Sequence, residues 1–162
     1  MTQPPRMIFV NLPVRDLPAA RAFYAALGFT NEPRFTDETA AAMVWSETIV
    51  VMLLTHAKWA TFTNKPLPLA DSCGVMLCLS CTDRAEVDRL ADAAGPAGGT
   101  SDANPPEDHG FMFSRSLADP DGHTAAPDAA STKAQCDADE HHDDGDQQDL
   151  NFEVMMHALR KI

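Results

Sequence analysis

Asp119-Pro120-Asp121-Gly122-His123, an acidic tract from Thr124 to Leu150, and Asn151-Phe152-Glu153-Val154-Met155-Met156-His157 form the stretch on which the fold turns. An Asp-Pro-Asp-Gly segment is a tight turn that ordinarily delivers the chain into a strand. Here it delivers Thr124-Ala125-Ala126-Pro127-Asp128 and a tract without one aromatic or β-branched aliphatic residue. Such a composition buries too little apolar area to offset its ordering entropy, so Thr124 to Asp149 is predicted to be disordered. Apolar alternation returns at Phe152, Val154 and Met156. The stretch therefore reads as one turn-and-strand unit split by an insert, the last strand resuming at Asn151. Closure entropy grows only logarithmically with loop length, so such an insert is cheap. The competing reading is an amphipathic helix from Leu150 to Arg160.

The rest of the composition fits one domain. A chain of 162 residues with 44% hydrophobic content can bury a substantial core. The net charge of -12 disfavours nucleic acid and anionic membrane surfaces as partners. Eight acids against Lys133 place -7 of that charge within 124–150, leaving an ordinary balance elsewhere. No run reaches the ~20 apolar residues of a membrane span. The start, Met1-Thr2-Gln3-Pro4-Pro5-Arg6, leads into a strand without a signal-peptide segment, and a cytoplasmic protein is expected. Cys78 and Cys81 are formally a CxxC, but on a strand that offset points the side chains to opposite faces, so buried reduced thiols are expected.

Upstream of the turn, one programme occurs twice. Met7 to Leu12 reads as a strand, and Leu17 to Leu27 as a helix behind Asp16 with Phe23 and Leu27 on its buried face. Strands are expected at Phe29 to Phe35, Ala40 to Ser46 and Thr48 to Thr55. Lys58 to Asp71 reads as a loop whose Trp59 and Phe62 cover a sheet end or a pocket. The pattern restarts with a strand at Cys73 to Cys81. Thr82-Asp83 with Glu86 resembles a capping box, followed by a helix at Arg84 to Ala94 stopped by Gly95. A short strand near Thr100 and a longer one at Phe111 to Leu117 complete it. The expected architecture is α+β: two βαβββ modules, module one over 7–56 and module two over 73–123 plus 151–158.

This order resembles the vicinal oxygen chelate superfamily, which includes glyoxalase I, extradiol dioxygenases, fosfomycin-resistance enzymes and bleomycin-resistance proteins. The resemblance rests on Val14-Arg15-Asp16-Leu17, Arg21-Ala22-Phe23-Tyr24, Leu27-Gly28-Phe29 and the late Asp119-Pro120-Asp121-Gly122-His123. It implies a cup formed by two modules, often completed by a second subunit, with metal ligands on inward faces of the first, fourth, fifth and eighth strands. Carried onto this chain, those positions fall on Phe9, Leu53, Met76 and Glu153. Read without an insert, the last would fall on Ala126.

A divalent cation needs several N, O or thiolate donors, and Phe9 and Leu53 offer none while Met76 offers a thioether. No cofactor is therefore expected, a divalent metal being the alternative. The expected site is a metal-free pocket of Phe9, Asn11, Leu53, Met76 and Cys78 with Glu153 as its acid or general base and Arg115 as a ligand contact or as the partner of Glu153. The expected function is binding of a small organic molecule by a homodimer. Two other readings stay open: a lyase or dioxygenase with a displaced metal site using Glu153 with His56 or His109, and an acidic insert that docks a basic protein.

Overall fold

A computed structural model describes residues 6–69 and 72–130. Within them the chain forms two compact units. One contains 6–17 and 28–67; the other contains 18–27 and the described residues from Pro68 onward.

The first unit is built on a four-stranded sheet of β1 (Ile8–Val14), β2 (Thr30–Glu32), β3 (Ala40–Ser46) and β4 (Ile49–Thr55), ordered β1-β4-β3-β2. β4 lies parallel to β1 and antiparallel to β3. β4 reads Ile-Val-Val-Met-Leu-Leu-Thr, a continuous apolar run of the kind that arises when both faces of a strand are covered. One face holds Leu12, Val14, Ala41, Met43, Val51 and Leu53, each at most 2% exposed. The other holds Val50, Met52 and Leu54 with Ala40 and Ala42, packed by Phe35, Trp59 and Phe62.

The strand expected at Phe29 to Phe35 is shorter. Pro33 fixes its own φ and supplies no N–H, and the Glu32 carboxylate accepts the Arg34 N–H at 3.0 Å, so a 3-10 turn over Pro33–Phe35 replaces its second half. The expected loop after β4 opens with a single helical turn, α2 (His56–Trp59), whose cap is the Thr55 hydroxyl accepting the Lys58 N–H at 3.3 Å.

The second unit repeats the βαβββ plan with breaks. β5 (Met76–Ser80) and β10 (Thr124–Ala130) are parallel neighbours. β8 (Met112–Ser114) and β9 (Leu117–Ala118) are two pieces of one antiparallel strand beside β10, edged by β7 (Glu107–Asp108) and β6 (Thr100–Ser101). Helix α3 (Arg84–Ala94) buries Val87, Leu90, Ala91 and Ala94. Asp83 is its cap, accepting the Glu86 N–H at 2.9 Å, while Glu86 Oε2 reaches back to the Thr82 N–H at 2.8 Å. Helix α1 (Leu17–Ala26) is counted with this unit except for its first residue.

The final strand is the main correction. Thr124–Ala130, read from sequence as the start of a disordered insert, is the strand between β5 and β8/β9. Module two therefore extends to Ala130 without a split. The remainder of the expected insert, 131–150, and the strand expected at Asn151 lie outside the described residues, as does Glu153.

Pro127 stands within this strand although proline removes a ladder donor. The break between β8 and β9 accommodates it. The Arg115 N–H donates to the Pro127 carbonyl at 3.2 Å, and a strand residue directs its N and C=O to the same side, so the missing donor falls where the neighbouring strand is interrupted. Ser116 turns away at that gap, its hydroxyl donating to the Asn104 carbonyl at 3.0 Å.

Candidate ligand pocket

The β1–β4 register decides which side chains meet. Phe9 pairs with Val50, Asn11 with Met52 and Pro13 with Leu54, and Ala40 and Ala42 of β3 lie opposite Leu54 and Met52. In-register neighbours share a face. Phe9, Asn11, Val50, Met52 and Leu54 therefore line one side, packed by Phe35, Trp59 and Phe62; Val50, Met52 and Leu54 are buried there, Phe9 is half-buried and Asn11 is exposed. A cavity of about 210 Å³ opens there among Asn11, Phe35, Met52, Leu54 and Phe62, with Arg34, Asp37 and Lys58 at its polar rim. A second hollow of about 410 Å³ on the same unit, reaching Val44, Val50 and Glu47, shares Arg34 with the first.

The rim charges differ in their commitments. Arg34 Nε and Nη2 donate to the two oxygens of Glu32 at 3.0 and 3.2 Å, and these bonds hold the Glu32 carboxyl below its ordinary range. Asp37 Oδ1 accepts the Thr39 N–H at 2.6 Å, the Thr39 hydroxyl at 2.8 Å and the Ala40 N–H at 2.9 Å. Partial burial acts to raise the Asp37 carboxyl, but those bonds and the Lys58 charge outweigh it and keep it low. Lys58 Nζ lies 5.5 Å from the Phe62 ring centroid. The Trp59 Nε1–H is buried without an acceptor among the described residues.

Of the site residues expected from sequence, Phe9 and Asn11 stand on this face. Leu53 does not: it is one residue out of phase, fully buried on the opposite face. Its place is taken by Met52 and Leu54. Met76 and Cys78 belong to the second unit, exposed on the face of β5 that they share with Thr124 and Ala126.

Arg115 is the clearest displacement. Its Nε and Nη2 hold both oxygens of Asp102 at 2.9 and 2.7 Å, while Nη1 meets Asp88 at 3.0 Å and Asp92 at 2.9 Å. It ties α3 to the sheet and is not the ligand contact expected of it. The described cysteines also divide, Cys73 and Cys78 being exposed and Cys81 buried. Burial, with Glu86 and Asp128 nearby, pushes the Cys81 thiol up to about 11.

His56 opens α2 and is exposed. His109 Nε2 lies 3.2 Å from Glu107 Oε2 and its ring stacks on Phe111. The His123 N–H donates to Asp119 Oδ1 at 2.8 Å, bracing the turn. Asp119 Oδ2 accepts the Tyr24 hydroxyl at 3.1 Å.

Sequence reasoning missed Phe35, Met52, Leu54 and Lys58 as pocket residues. Counting by twos from Asn11 across the β1–β4 pair would have found Met52 and Leu54, but the uniformly apolar β4 conceals its own phase.

Of the strand positions where the resemblance implies metal ligands, Phe9 and Leu53 carry no nitrogen, oxygen or thiolate side-chain donor and Met76 only a thioether, while Glu153 lies outside the described residues. Among the described residues no group of three or more His, Cys, Asp or Glu side chains converges as a metal site.

The family model for bleomycin resistance protein-like N-terminal domains matches residues 6–46. No curated protein matches the chain. Among solved structures, hypothetical protein SA1046 from S. aureus is similar at 26% identity and a TM-score of 0.65, covering 80% of this chain and 95% of that one. A glyoxalase/bleomycin resistance protein/dioxygenase family enzyme from Burkholderia phytofirmans PsJN is similar at 19% identity and a TM-score of 0.65, covering 78% and 100%. The fosfomycin resistance protein FosX from Mesorhizobium loti is similar at 18% identity and a TM-score of 0.56, covering 79% and 94%. The resemblance to the vicinal oxygen chelate superfamily is borne out in fold, and in sequence over the first module.

Proposed function

We propose that this protein, with its glyoxalase/bleomycin-resistance fold, binds a small organic molecule against the Phe9–Asn11–Met52–Leu54 face without a resident metal ion. One observation carries the reading: a cavity opens against an apolar sheet face and is rimmed by a few polar groups, the form that small-molecule sites take. Apolar walls supply affinity, and a side-chain amide such as Asn11 supplies orientation. The side chains at Phe9, Leu53 and Met76, which offer at most one thioether, support the metal-free part. Assembly as a homodimer is part of the same proposal and is checked by light scattering.

Two measurements test it. A screen of small aromatic and aliphatic compounds by thermal shift should yield binders whose affinity falls about ten-fold or more in Phe62→Ala, which removes a wall of the cavity. Binders indifferent to Phe62→Ala and to Asn11→Leu would move the site elsewhere. Elemental analysis of purified protein should find no stoichiometric metal; one tightly held transition ion per chain would overturn the metal-free reading.

Among the described residues no helix is long and apolar enough to cross a membrane.

A further inference from the structure

We propose that the ligand of this cavity is a small aromatic monoanion whose carboxylate is taken by Lys58, an inference that rests on the cavity being the binding site. The charges at the rim were compared one by one. Arg34 is already neutralised by the two-point contact with Glu32. Asp37 spends one oxygen on three donors of its own loop and stays ionised there. The Lys58 ammonium lies over the Phe62 ring and its charge acts on Asp37, but among the described residues it makes no hydrogen bond and no ion pair within 4.0 Å. It can therefore still gain a charge-assisted hydrogen bond from an anion placed in the cavity.

The exposed Asn11 side chain lines the same cavity and makes no hydrogen bond to the described residues, so it is open to a ligand. The Trp59 Nε1–H, buried without an acceptor among the described residues, lies in the apolar cluster next to the cavity. The body of the ligand follows from the walls. Phe35 and Phe62 line the cavity together with Met52 and Leu54. A cavity of ~150 Å³ admits benzene, so about 210 Å³ suits one ring with a carboxyl group.

The test uses three probes of one shape and three charges: 4-ethylbenzoate, 4-ethylbenzamide and 4-ethylbenzylammonium. Each is titrated into the full chain while the Trp59 indole N–H resonance is followed by NMR. The acid should bind about ten-fold tighter than the amide, the gain of a charge-assisted hydrogen bond, with the ammonium weakest. Added salt should weaken the acid selectively. Lys58→Met, which keeps the apolar stem, should erase the advantage of the acid over the amide.

Equal binding of acid and amide, or an acid preference that survives Lys58→Met, would overturn the anion assignment and leave the cavity reading standing. If none of the three probes binds, and Phe62→Ala is without effect on any compound found by screening, the cavity reading falls and this inference falls with it.

Discussion

Arg115 and Asp119 are ionised or ionisable groups held inside the second unit, and their environments predict opposite pH behaviour. The Arg115 side chain is 12% exposed, whereas its partners Asp88, Asp92 and Asp102 are 45%, 70% and 36% exposed. Water therefore screens the acid side of the cluster, and Arg115→Met is expected to cost only about 1–2 kcal/mol, less than a fully buried pair. The hydrogen bond from Arg115 holds the Asp102 carboxyl below its ordinary value. A depressed carboxyl stabilises the fold above its unfolded pKa and loses that contribution as pH falls through its folded one. Denaturant melts should thus show wild type and Arg115→Met converging as pH falls below ~4.

Asp119 runs the other way. Burial raises its carboxyl against the opposing pull of His123 and of the hydrogen bonds it accepts. Between the unfolded and folded pKa values the native state then binds the extra proton, so this group makes the fold less stable as pH rises through that window. Asp119→Asn keeps an acceptor for the Asp121 and His123 N–H groups, which donate to Oδ1 at 2.9 and 2.8 Å. Its melting temperature should therefore lack that decline with pH. Asp119→Ala strands both donors and the Tyr24 hydroxyl, and a loss of about 2–4 kcal/mol is expected in urea unfolding.

At the scale of elements, the position of β10 yields a direct comparison of two deletions. A chain ending at Ala130 retains every described strand of the second sheet and should melt cooperatively with native-like circular dichroism. Removing 124–150 takes away the strand that pairs with β5, β8 and β9, and that variant should lose the cooperative transition. The close approach of α1 to the same sheet gives a third comparison. A Cβ at Gly99 would run into the Ala118 carbonyl and the Phe23 ring, one backbone and one at the core, so Gly99→Ala should lower stability by about 1–3 kcal/mol or more. Gly122 has a different reason, its φ of 91° closing the Asp119 turn.

Strand β10 also shows where the sequence was legible and where it was not. Helix α3 was read to the residue because a cap, a 3.6-residue period and a terminal glycine agree. β3 was equally clear. Thr-Ala-Ala-Pro-Asp-Ala-Ala carries no local signal for a strand, since alanine and proline are poor in sheets and the stretch runs into acids. It is ordered by its neighbours: Ala125 and Ala129 are buried and Asp128 gives its carbonyl to the Cys81 N–H at 2.8 Å. The misplacement of Leu53 has a related origin, because β4 is apolar on both faces and alternation is invisible in such a run. Arg115 was misread because its three acids come from α3 and the segment before β7, a convergence that spacing along the chain does not reveal.

On the scale of the whole molecule, the two units are not consecutive segments. Residues 6–17 and 28–67 belong to one, while 18–27 and the described residues from Pro68 to Ala130 belong to the other. The Tyr24–Asp119 hydrogen bond spans 95 positions of sequence and fixes α1 in the later unit. Contacts of such long separation form after costly loop closure, so this topology is expected to fold more slowly than a chain of local modules. Stopped-flow refolding of Asp119→Asn and Phe23→Leu would show how early α1 docks.

Cutting the polypeptide near position 68 therefore leaves no self-sufficient half: the front fragment keeps a helix with nothing to rest on, and the rear fragment lacks that same helix. The pair should behave as a split protein, each piece soluble at best as a loose chain and the two together restoring a sharp melt. Any shuffling of these modules between relatives would have to carry the ten-residue loan along with it.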